Sequence, residues 1–421
     1  FKLSQGVTTV VSGNCGFSAI PFDPESDPRK ASGGILSGLK GGFTDLSGYF
    51  DAVLASAPAI NNMMLVGHNT IRSMVMDDPK QAPSQQDLMA MGSHVERALE
   101  QGACGFSTGL IYHPGKYSQT EEIIALAQLA GSAGALYTTH MRNEGDHLLE
   151  AVEEALQIGV EANVHTHISH HKAAGAANWG KVVPSLARID SAIAAGQRVS
   201  LDVYPYTAGS GRMIEYFNLD RINRDLAEVI RIASCPAYRE YEGQMLKDIA
   251  RVQAVDITDL VRDILTAPRG ADTICIQFII DEQDVEHNLR WRDMMVGSDG
   301  IPNLRGKPHP RLYGTFAKIL GHYVRERGLM SLTEAIRRMT SLPAATFGMN
   351  QRGMVRAGFQ ADLLLFDPAT VQDTATYDEP QQLAAGIRTV LVNGKIAWQD
   401  GQHQMAGSGH MLKYRSGSYA G

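Results

Sequence analysis

The chain has 421 residues and a mass of 45.7 kDa, enough for one large folded domain or two ordinary ones. With 44% hydrophobic and 20% charged residues, the composition fits neither a disordered chain nor a membrane span. The net charge of −7 argues against general binding to nucleic acid or to anionic membranes. The four cysteines are too few and too scattered for a disulfide framework, so we expect a reducing, cytoplasmic compartment.

Short apolar runs alternate with amphipathic helical stretches through most of the chain. The runs that predict strands are Val7–Ser12, Met63–Gly67, Gly105–Thr108, Ala135–His140, Val164–Ser169, Val199–Tyr204 and Met294–Asp299. The stretches that predict helices between them include Gln85–Gln101, Glu121–Ser132 and His147–Ile158. Helix starts with a capping box are predicted at Ser118 with Glu121 and at Ser331 with Glu334. This alternation predicts an α/β fold with a parallel sheet and helices packed outside it.

The number of predicted strands favours a TIM-like (β/α)8 barrel. Seven strands are one short of the eight that close such a barrel, and the missing first strand would precede Phe1. Since a core strand follows Phe1 almost at once, we expect the sequence to be truncated upstream. An open doubly wound sheet is the rival architecture, but no glycine-rich phosphate turn follows any strand.

A long segment interrupts the alternation before the last predicted strand. Between Tyr206 and Met294 the sequence indicates mixed helix and short strand over more residues than a normal connection needs. We expect residues 218–272 to form an inserted lid subdomain within a barrel domain of residues 1–345.

The pattern changes again near the C-terminus. Two strand-like runs, at Gly358–Asp367 and Thr389–Lys395, predict a small separate β layer, and the second contains an Asn-Gly turn. Residues 346–421 are therefore predicted to form the C-terminal part of a small β-sandwich domain and a tail.

Metal-binding side chains recur where the predicted strands end, and in a barrel these ends meet at one mouth. The side chains are Cys15 in Gly13-Asn14-Cys15-Gly16, His140, the pair His170-His171, and Asp299. A thiolate, imidazoles and a carboxylate are the donors of a catalytic zinc site with an open position. The recurrence at strand ends, rather than any single residue, predicts the metal site.

Each of these residues also has an ordinary structural interpretation. A free cysteine is often a small buried hydrophobe, but the glycines beside Cys15 favour a turn. Neighbouring residues on a strand point to opposite faces, so His170 and His171 cannot both face one metal. Arg311 could bind a substrate carboxylate through its planar fork, although its spacing alone slightly favours a surface arginine.

Four segments carry a pattern that is more specific than these general signals. They are Gly6-Val7-Thr8-Thr9-Val10-Val11-Ser12-Gly13-Asn14-Cys15-Gly16, Ile168-Ser169-His170-His171-Lys172, Asp202-Val203-Tyr204-Pro205-Tyr206-Thr207 and Gly297-Ser298-Asp299-Gly300. Together they resemble the D-aminoacylases, which are the N-acyl-D-amino-acid deacylases of the amidohydrolase superfamily. The resemblance covers nearly all of the chain, and Gly-Asn-Cys-Gly is its most specific element. The run Met339–Ala345 followed by Gly358–Asp367 is similar to the closing helix and β-sandwich of the superfamily as a whole.

The resemblance implies a Zn²⁺-dependent enzyme that hydrolyses the amide bond of N-acyl-D-amino acids to a carboxylate and a D-amino acid. It implies that Cys15, His140 and His170 bind the zinc and that Asp299 is the catalytic acid and base.

The same resemblance implies a set of residues that bind the small-molecule substrate. Tyr204, Ser210 and Arg311 match positions that hold the carboxylate of the substrate in the family. Lys172 lies in the same motif as His170 and is grouped with these residues.

One expected feature of the family has no counterpart in the sequence. The His-x-His pair of the first barrel strand would lie upstream of Phe1, so either that segment is cropped or the chain lacks part of a second metal site. A truncated, inactive relative is therefore one alternative. A cyclic-amide hydrolase of the dihydroorotase or hydantoinase kind is another, but the stretch Cys104–Gly109 offers no lysine to bridge two metals. The number of metals, the preferred substrate side chain and the oligomeric state stay open.

Overall fold

The computed structural model describes residues 1–22, 43–302, 304–404 and 407–415. Its strands, in chain order, are β1 Thr9–Ser12, β2 Asn61–Met64, β3 Val66–Gly67, β4 Gly105–Gly109, β5 Leu136–His140, β6 His165–Ile168, β7 Val199–Val203, β8 Gly209–Arg212, β9 Ile230–Ser234, β10 Ile274–Gln277, β11 Met294–Val296, β12 Leu363–Phe366, β13 Ile387–Val392, β14 Lys395–Gln399 and β15 Gln402–His403.

A parallel sheet organises the larger part of the molecule. Six strands pair in the order β11-β7-β6-β5-β4-β3, and β1 pairs in parallel with β2. Because only Leu65 separates β2 from β3, the strands form one succession from β1 round to β11. All seven predicted strands are present, with ends that differ by at most three residues, and the predicted strand Met63–Gly67 is divided between β2 and β3. Within the described residues no pairing joins β11 to β1, so the closed eight-stranded barrel stays a prediction.

Helices connect the parallel strands and cover the sheet. Their bounds are α1 Leu46–Ala55, α2 His68–Val75, α3 Gln85–Gln101, α4 Thr120–Ser132, α5 Leu148–Glu161, α6 Val182–Ala194, α7 Arg224–Glu228, α8 Leu246–Gln253, α9 Ile257–Thr266, α10 Glu282–Arg290, α11 Arg311–Lys318, α12 Leu332–Met339 and α13 Ser341–Thr346. A π-helix, Ile319–Glu326, continues α11. No helix in the described ranges combines the length and the apolar character that crossing a membrane requires.

Of the two helix starts predicted from the sequence, one is confirmed and the other is wrong. The Ser331 side chain accepts a hydrogen bond from the Glu334 amide at the start of α12, which confirms the predicted helix start. The Glu334 carboxylate pairs with Arg337 and Arg338 instead of completing the predicted capping box. At α4 the prediction is wrong, because the Ser118 hydroxyl donates instead to Gly115 O at the end of a 3-10 turn. A complete capping box that the sequence reading missed lies at Ser84, before α3.

The inserted segment has its own sheet and its own core. Strands β8, β10 and β9 form an antiparallel sheet, and its residues Ile232 and Cys275 share a hydrophobic cluster with residues of the helices α8 and α9, including Leu246. The predicted bounds 218–272 lie inside this segment, and the strands β8 and β10 lie outside those bounds. A lid role for the segment stays a prediction.

The C-terminal strands form a four-stranded antiparallel sheet in the order β12-β13-β14-β15. Val390 and Trp398 of this sheet belong to the same hydrophobic cluster as Leu3 and Tyr323, which lie outside it. The sheet is therefore packed on the larger part of the molecule through a shared core. In the described part of the chain it is a single layer, and the second layer of a β-sandwich stays a prediction.

Candidate metal centre and active site

The chain makes a tight turn directly after β1, and Cys15 lies on it. Cys15 has a φ of 57°, and the flanking residues Gly13 and Gly16 have φ values of 82° and 78°. A side chain at position 13 is impossible without rearrangement, because a Cβ there would lie 2.1 Å from Leu65 O. The glycines therefore allow the turn that brings the Cys15 thiol to the C-terminal end of the sheet.

A hydroxyl group on strand β4 fixes this turn. Ser107 on β4 accepts a hydrogen bond from Gly16 N at 3.2 Å through its Oγ and donates one to Gly13 O. The Asn14 side chain donates to Val11 O at 3.0 Å. Both sides of Cys15 are thus held by hydrogen bonds, which keeps the thiol in one place.

The imidazole side chains of two histidines lie close to the Cys15 thiol. His140 is the last residue of β5, and His170 follows β6 by two residues. Cys15 Sγ lies 3.4 Å from His170 Nε2, and one donor atom from each of the three residues lies within 4.8 Å of the others. All three side chains are buried. Among the described residues, these are the ones grouped as able to hold a metal ion.

The donor set fits zinc. Sulfur and nitrogen ligands suit Zn²⁺, and two such donors on one tetrahedral zinc lie about 3.6 Å apart, close to the observed distance between sulfur and nitrogen. Both ring nitrogens of His140 are buried, and neither has a hydrogen-bond partner among the described residues. A buried imidazole without a partner is unfavourable unless something binds it, and a metal ion meets that need.

The electrostatics of the centre favour a cation. Burial lowers the pKa of His140 well below its usual value, which keeps the imidazole neutral and able to bind a metal. Burial and Lys172 also lower the pKa of His170, but Asp299, Cys15 and Glu144 outweigh them and raise it to about 10. The negative groups around these imidazoles therefore stabilise a positive charge at this position.

A carboxylate and a guanidinium form the second part of the site. Asp299 follows β11 with a φ of 43°, and its Oδ2 lies 2.9 Å from Arg311 Nη1. Arg311 is the first residue of α11, is 1% exposed, and lies 4.5 Å from the Tyr204 ring centroid. Its Nε is buried with no hydrogen-bond partner among the described residues. The surface interpretation of Arg311, slightly favoured by spacing alone, is therefore wrong.

The other predicted substrate-binding residues lie close to this pair or to the imidazoles. Ser210 O accepts a hydrogen bond from Arg311 Nη2 at 3.3 Å, and Ser210 lines a small cavity with Arg311. Lys172 Nζ lies 3.0 Å from His170 Nδ1 and 5.6 Å from the Tyr204 ring centroid.

The second histidine of the pair points away from the centre. His171 Nδ1 lies 2.6 Å from Asn288 Oδ1, and its Nε2 lies 2.7 Å from Ser185 Oγ, so it packs among the outer helices. Burial lowers its pKa to about 4, which keeps the ring neutral there. As predicted, only one of the two histidines faces the other donors, although both lie beyond the end of β6, so the alternation of side chains on a strand is not the reason.

The sequence reading missed three residues that contact the site. Glu144 lies between both imidazoles and Lys172, Ser107 holds the Cys15 turn, and Asp202 Oδ1 accepts a hydrogen bond from His170 N at 2.9 Å. Asp202 lies inside the motif Asp202–Thr207 that the sequence analysis quoted. Its polarity next to a strand end is the signal that could have identified it.

Comparison with known proteins agrees with this geometry. Residues 194–397 match the model of the Amidohydrolase family. The chain is 42% identical to a D-aminoacylase of Alcaligenes xylosoxydans xylosoxydans over 96% of its own length and 81% of that protein. It is 43% identical to an N-acyl-D-glutamate deacylase of the same organism, over 94% of this chain and 78% of that one.

A solved structure extends the likeness to three dimensions. The crystal structure of N-acyl-D-glutamate deacylase from Bordetella bronchiseptica, complexed with zinc and a phosphonate inhibitor, superposes with a TM-score of 0.89. Its sequence is 41% identical, and the match covers 98% of this chain and 84% of that one. The protein therefore belongs to the D-aminoacylases, the N-acyl-D-amino-acid deacylases of the amidohydrolase family.

Proposed function

We propose that the protein is a zinc-dependent enzyme that hydrolyses the amide bond of N-acyl-D-amino acids, releasing a carboxylate and a free D-amino acid. The observation that carries the proposal is that the donors Cys15, His140 and His170 lie together where their strands end. Asp299, which pairs with Arg311, also follows the end of a parallel strand of this sheet. The membership in a deacylase family supports it.

The substrate is held by its α-carboxylate in this proposal. We assign this contact to the buried Arg311, because its Nε has no hydrogen-bond partner among the described residues and a planar guanidinium can bind a carboxylate through two parallel hydrogen bonds. Tyr204 lies under the guanidinium and fixes its plane. Ser210 and Lys172 complete the substrate-binding set. Three separate contacts, to the carboxylate, the amide and the side chain, then select one enantiomer.

Asp299 moves the proton in this proposal. It accepts a proton from the water that attacks the acyl carbon, and it returns that proton to the nitrogen as the C–N bond breaks. Cys15, His140 and His170 would hold a zinc ion, which would supply Lewis-acid polarisation of the acyl group and make water more acidic. Arg311 lies 2.9 Å from Asp299 Oδ2 and holds this carboxylate in place.

Activity against a panel of substrates tests the proposed function. The panel contains N-acetyl-D-amino acids with neutral side chains, N-acetyl-D-aspartate, N-acetyl-D-glutamate and the matching L-isomers. We expect the zinc-loaded protein to hydrolyse D-isomers and to leave the L-isomers intact. Removal of the metal by a chelator should abolish the activity, and added Zn²⁺ should restore it. Hydrolysis of L-isomers alone, or full activity in the metal-free protein, would contradict the proposal.

Substitution of the carboxylate-binding residue gives a more specific test. We expect Arg311→Lys to raise KM for N-acetyl-D-amino acids by about 10- to 100-fold, because lysine keeps the charge but loses the fork, and a hydrogen bond to a charged group contributes about 1.5–3 kcal/mol. The zinc content should not change. The control is Arg224→Lys, since Arg224 is an exposed arginine paired with Asp256. An unchanged KM in the Arg311 variant would remove Arg311 from substrate binding.

The alternatives from the sequence gain no support. On β4, where a cyclic-amide hydrolase would place a bridging lysine, the chain has Ser107, which holds the Cys15 turn. The family relationship and the assembled donor set also oppose an inactive relative. We further propose that the strands close into a (β/α)8 barrel and that the protein works in a reducing, cytoplasmic compartment, which the four free cysteines support.

A further inference from the structure

Glu144 is a buried carboxylate that the proposed reaction does not use. It follows His140 by four residues, in the loop after β5, and it is 8% exposed. Its backbone oxygen accepts a hydrogen bond from Ala174 N at 2.7 Å, which joins the loop after β5 to the loop after β6. Glu144 is therefore held between the two loops that carry the imidazoles.

The two oxygens of this carboxylate face different partners. Oε1 lies 3.1 Å from His170 Nδ1 and 2.5 Å from Lys172 Nζ. Oε2 lies 3.5 Å from His140 Nε2. One carboxylate thus reaches both imidazoles of the metal centre, with one oxygen for each ring.

These contacts define which ring nitrogens are left for a metal. His170 turns its Nε2 toward Cys15 Sγ and its Nδ1 toward Glu144. His170 Nδ1 also lies 3.0 Å from Lys172 Nζ, so the pair of Glu144 and Lys172 occupies this nitrogen and Nε2 is the one left to face a metal. His140 Nε2 lies beside Oε2 without a hydrogen bond, so Glu144 approaches this ring through its charge.

Lys172 balances the charge of this arrangement. A buried carboxylate without a counter-charge would be strongly unfavourable, and the Lys172 ammonium at 2.5 Å provides that counter-charge. Glu144 is not one of the three donors grouped within 4.8 Å of one another. Its place is behind the imidazoles rather than on the metal.

We propose that Glu144 is the positioning residue of the metal site: its Oε1, together with Lys172, holds the Nδ1 edge of His170, and its Oε2 places a negative charge beside His140. This inference rests on the proposed zinc site. It assigns to one acidic residue the orientation of both imidazole ligands, with Lys172 as its counter-ion.

Metal affinity and the spectrum of a cobalt-substituted protein test the inference. We expect Glu144→Gln to lower the affinity for Zn²⁺, measured by competition with a chelator, by about 10- to 100-fold. We also expect the ligand-field bands of the Co²⁺-loaded variant to shift, because the amide is a weaker acceptor and the imidazoles change their orientation. Simple loss of stability would not shift these bands in the folded protein. The control is Glu150→Gln, since Glu150 is exposed and lies one helical turn beyond the site.

The outcomes separate this inference from the proposed function. If the wild-type protein does not bind Zn²⁺, the proposed function fails. If the wild type binds Zn²⁺ and Glu144→Gln binds it equally with an unchanged Co²⁺ spectrum, only the role of Glu144 is overturned. Thermal melting of the metal-free variants checks folding. If Glu144→Gln does not fold, the same measurements are made on Glu144→Asp. The shorter carboxylate should also lower the affinity for Zn²⁺. Wild-type affinity in that variant would overturn the proposed role of Glu144.

Discussion

Asp299→Asn should leave zinc binding intact and lower kcat by roughly 100- to 10,000-fold, the range that general acid–base catalysis contributes. An amide cannot accept the proton from water, but it has the same shape and can still accept a hydrogen bond from Arg311. Asparagine also tolerates the left-handed backbone that Asp299 adopts at a φ of 43°. We therefore expect a folded, metal-loaded protein whose KM does not rise.

Asp400 provides a matched control for this substitution. It has a similar φ of 47° and lies exposed in a turn between the C-terminal strands β14 and β15. Asp400→Asn should leave kcat, KM and the metal content at wild-type values. Steady-state kinetics and metal analysis on both variants decide the matter. A kcat within tenfold of wild type in the Asp299 variant would exclude Asp299 as the group that transfers the proton.

Cys15→Ala should reduce the affinity for Zn²⁺ by more than about 100-fold. Loss of an outer hydrogen-bond partner of a zinc ligand already costs about 10- to 100-fold, and loss of a ligand itself should cost more. Hydrolysis of N-acetyl-D-amino acids should fall together with the zinc content, and excess Zn²⁺ should restore part of it. Metal analysis after dialysis and activity at rising Zn²⁺ concentration measure these effects.

Cys104 serves as the control for the cysteine substitution. It is also buried, but its thiol donates to Met64 O and it is not among the grouped metal donors. Cys104→Ala should lower stability slightly and leave the zinc content unchanged. Wild-type zinc content in Cys15→Ala would remove Cys15 from the metal site.

The sequence predicted the strands well because each of them is short, apolar and flanked by clear helical patterns. It predicted their ends less well, since strand ends depend on hydrogen bonds to neighbouring strands that the sequence does not show. The wrong helix start at Ser118 has a similar cause. The residue order there matches a capping box, but the hydroxyl is buried and bonded to Gly115 O, so it is not available to cap α4.

The residues of the candidate site were also only partly predictable from the sequence. Cys15 could be found because glycines around a cysteine after a strand are unusual, and His140 and Asp299 because they follow apolar runs. Glu144 and Ser107 could not be assigned, since their partners lie far away in the chain. The Glu144 carboxylate contacts Lys172, 28 residues on, and the Ser107 hydroxyl contacts Gly13, 94 residues back. The burial of Arg311, at the start of α11, likewise depends on Tyr204, which follows the distant strand β7.

Three of the site residues, Cys15, His170 and Asp299, share a left-handed backbone, with φ values of 57°, 41° and 43°. Such a conformation disfavours residues other than glycine by about 1–3 kcal/mol each. Glycine would relieve this backbone strain at each position, but it would also remove a functional side chain, and at position 299 it would leave the buried Arg311 without its counter-charge. Stabilising substitutions should therefore be sought away from these three turns.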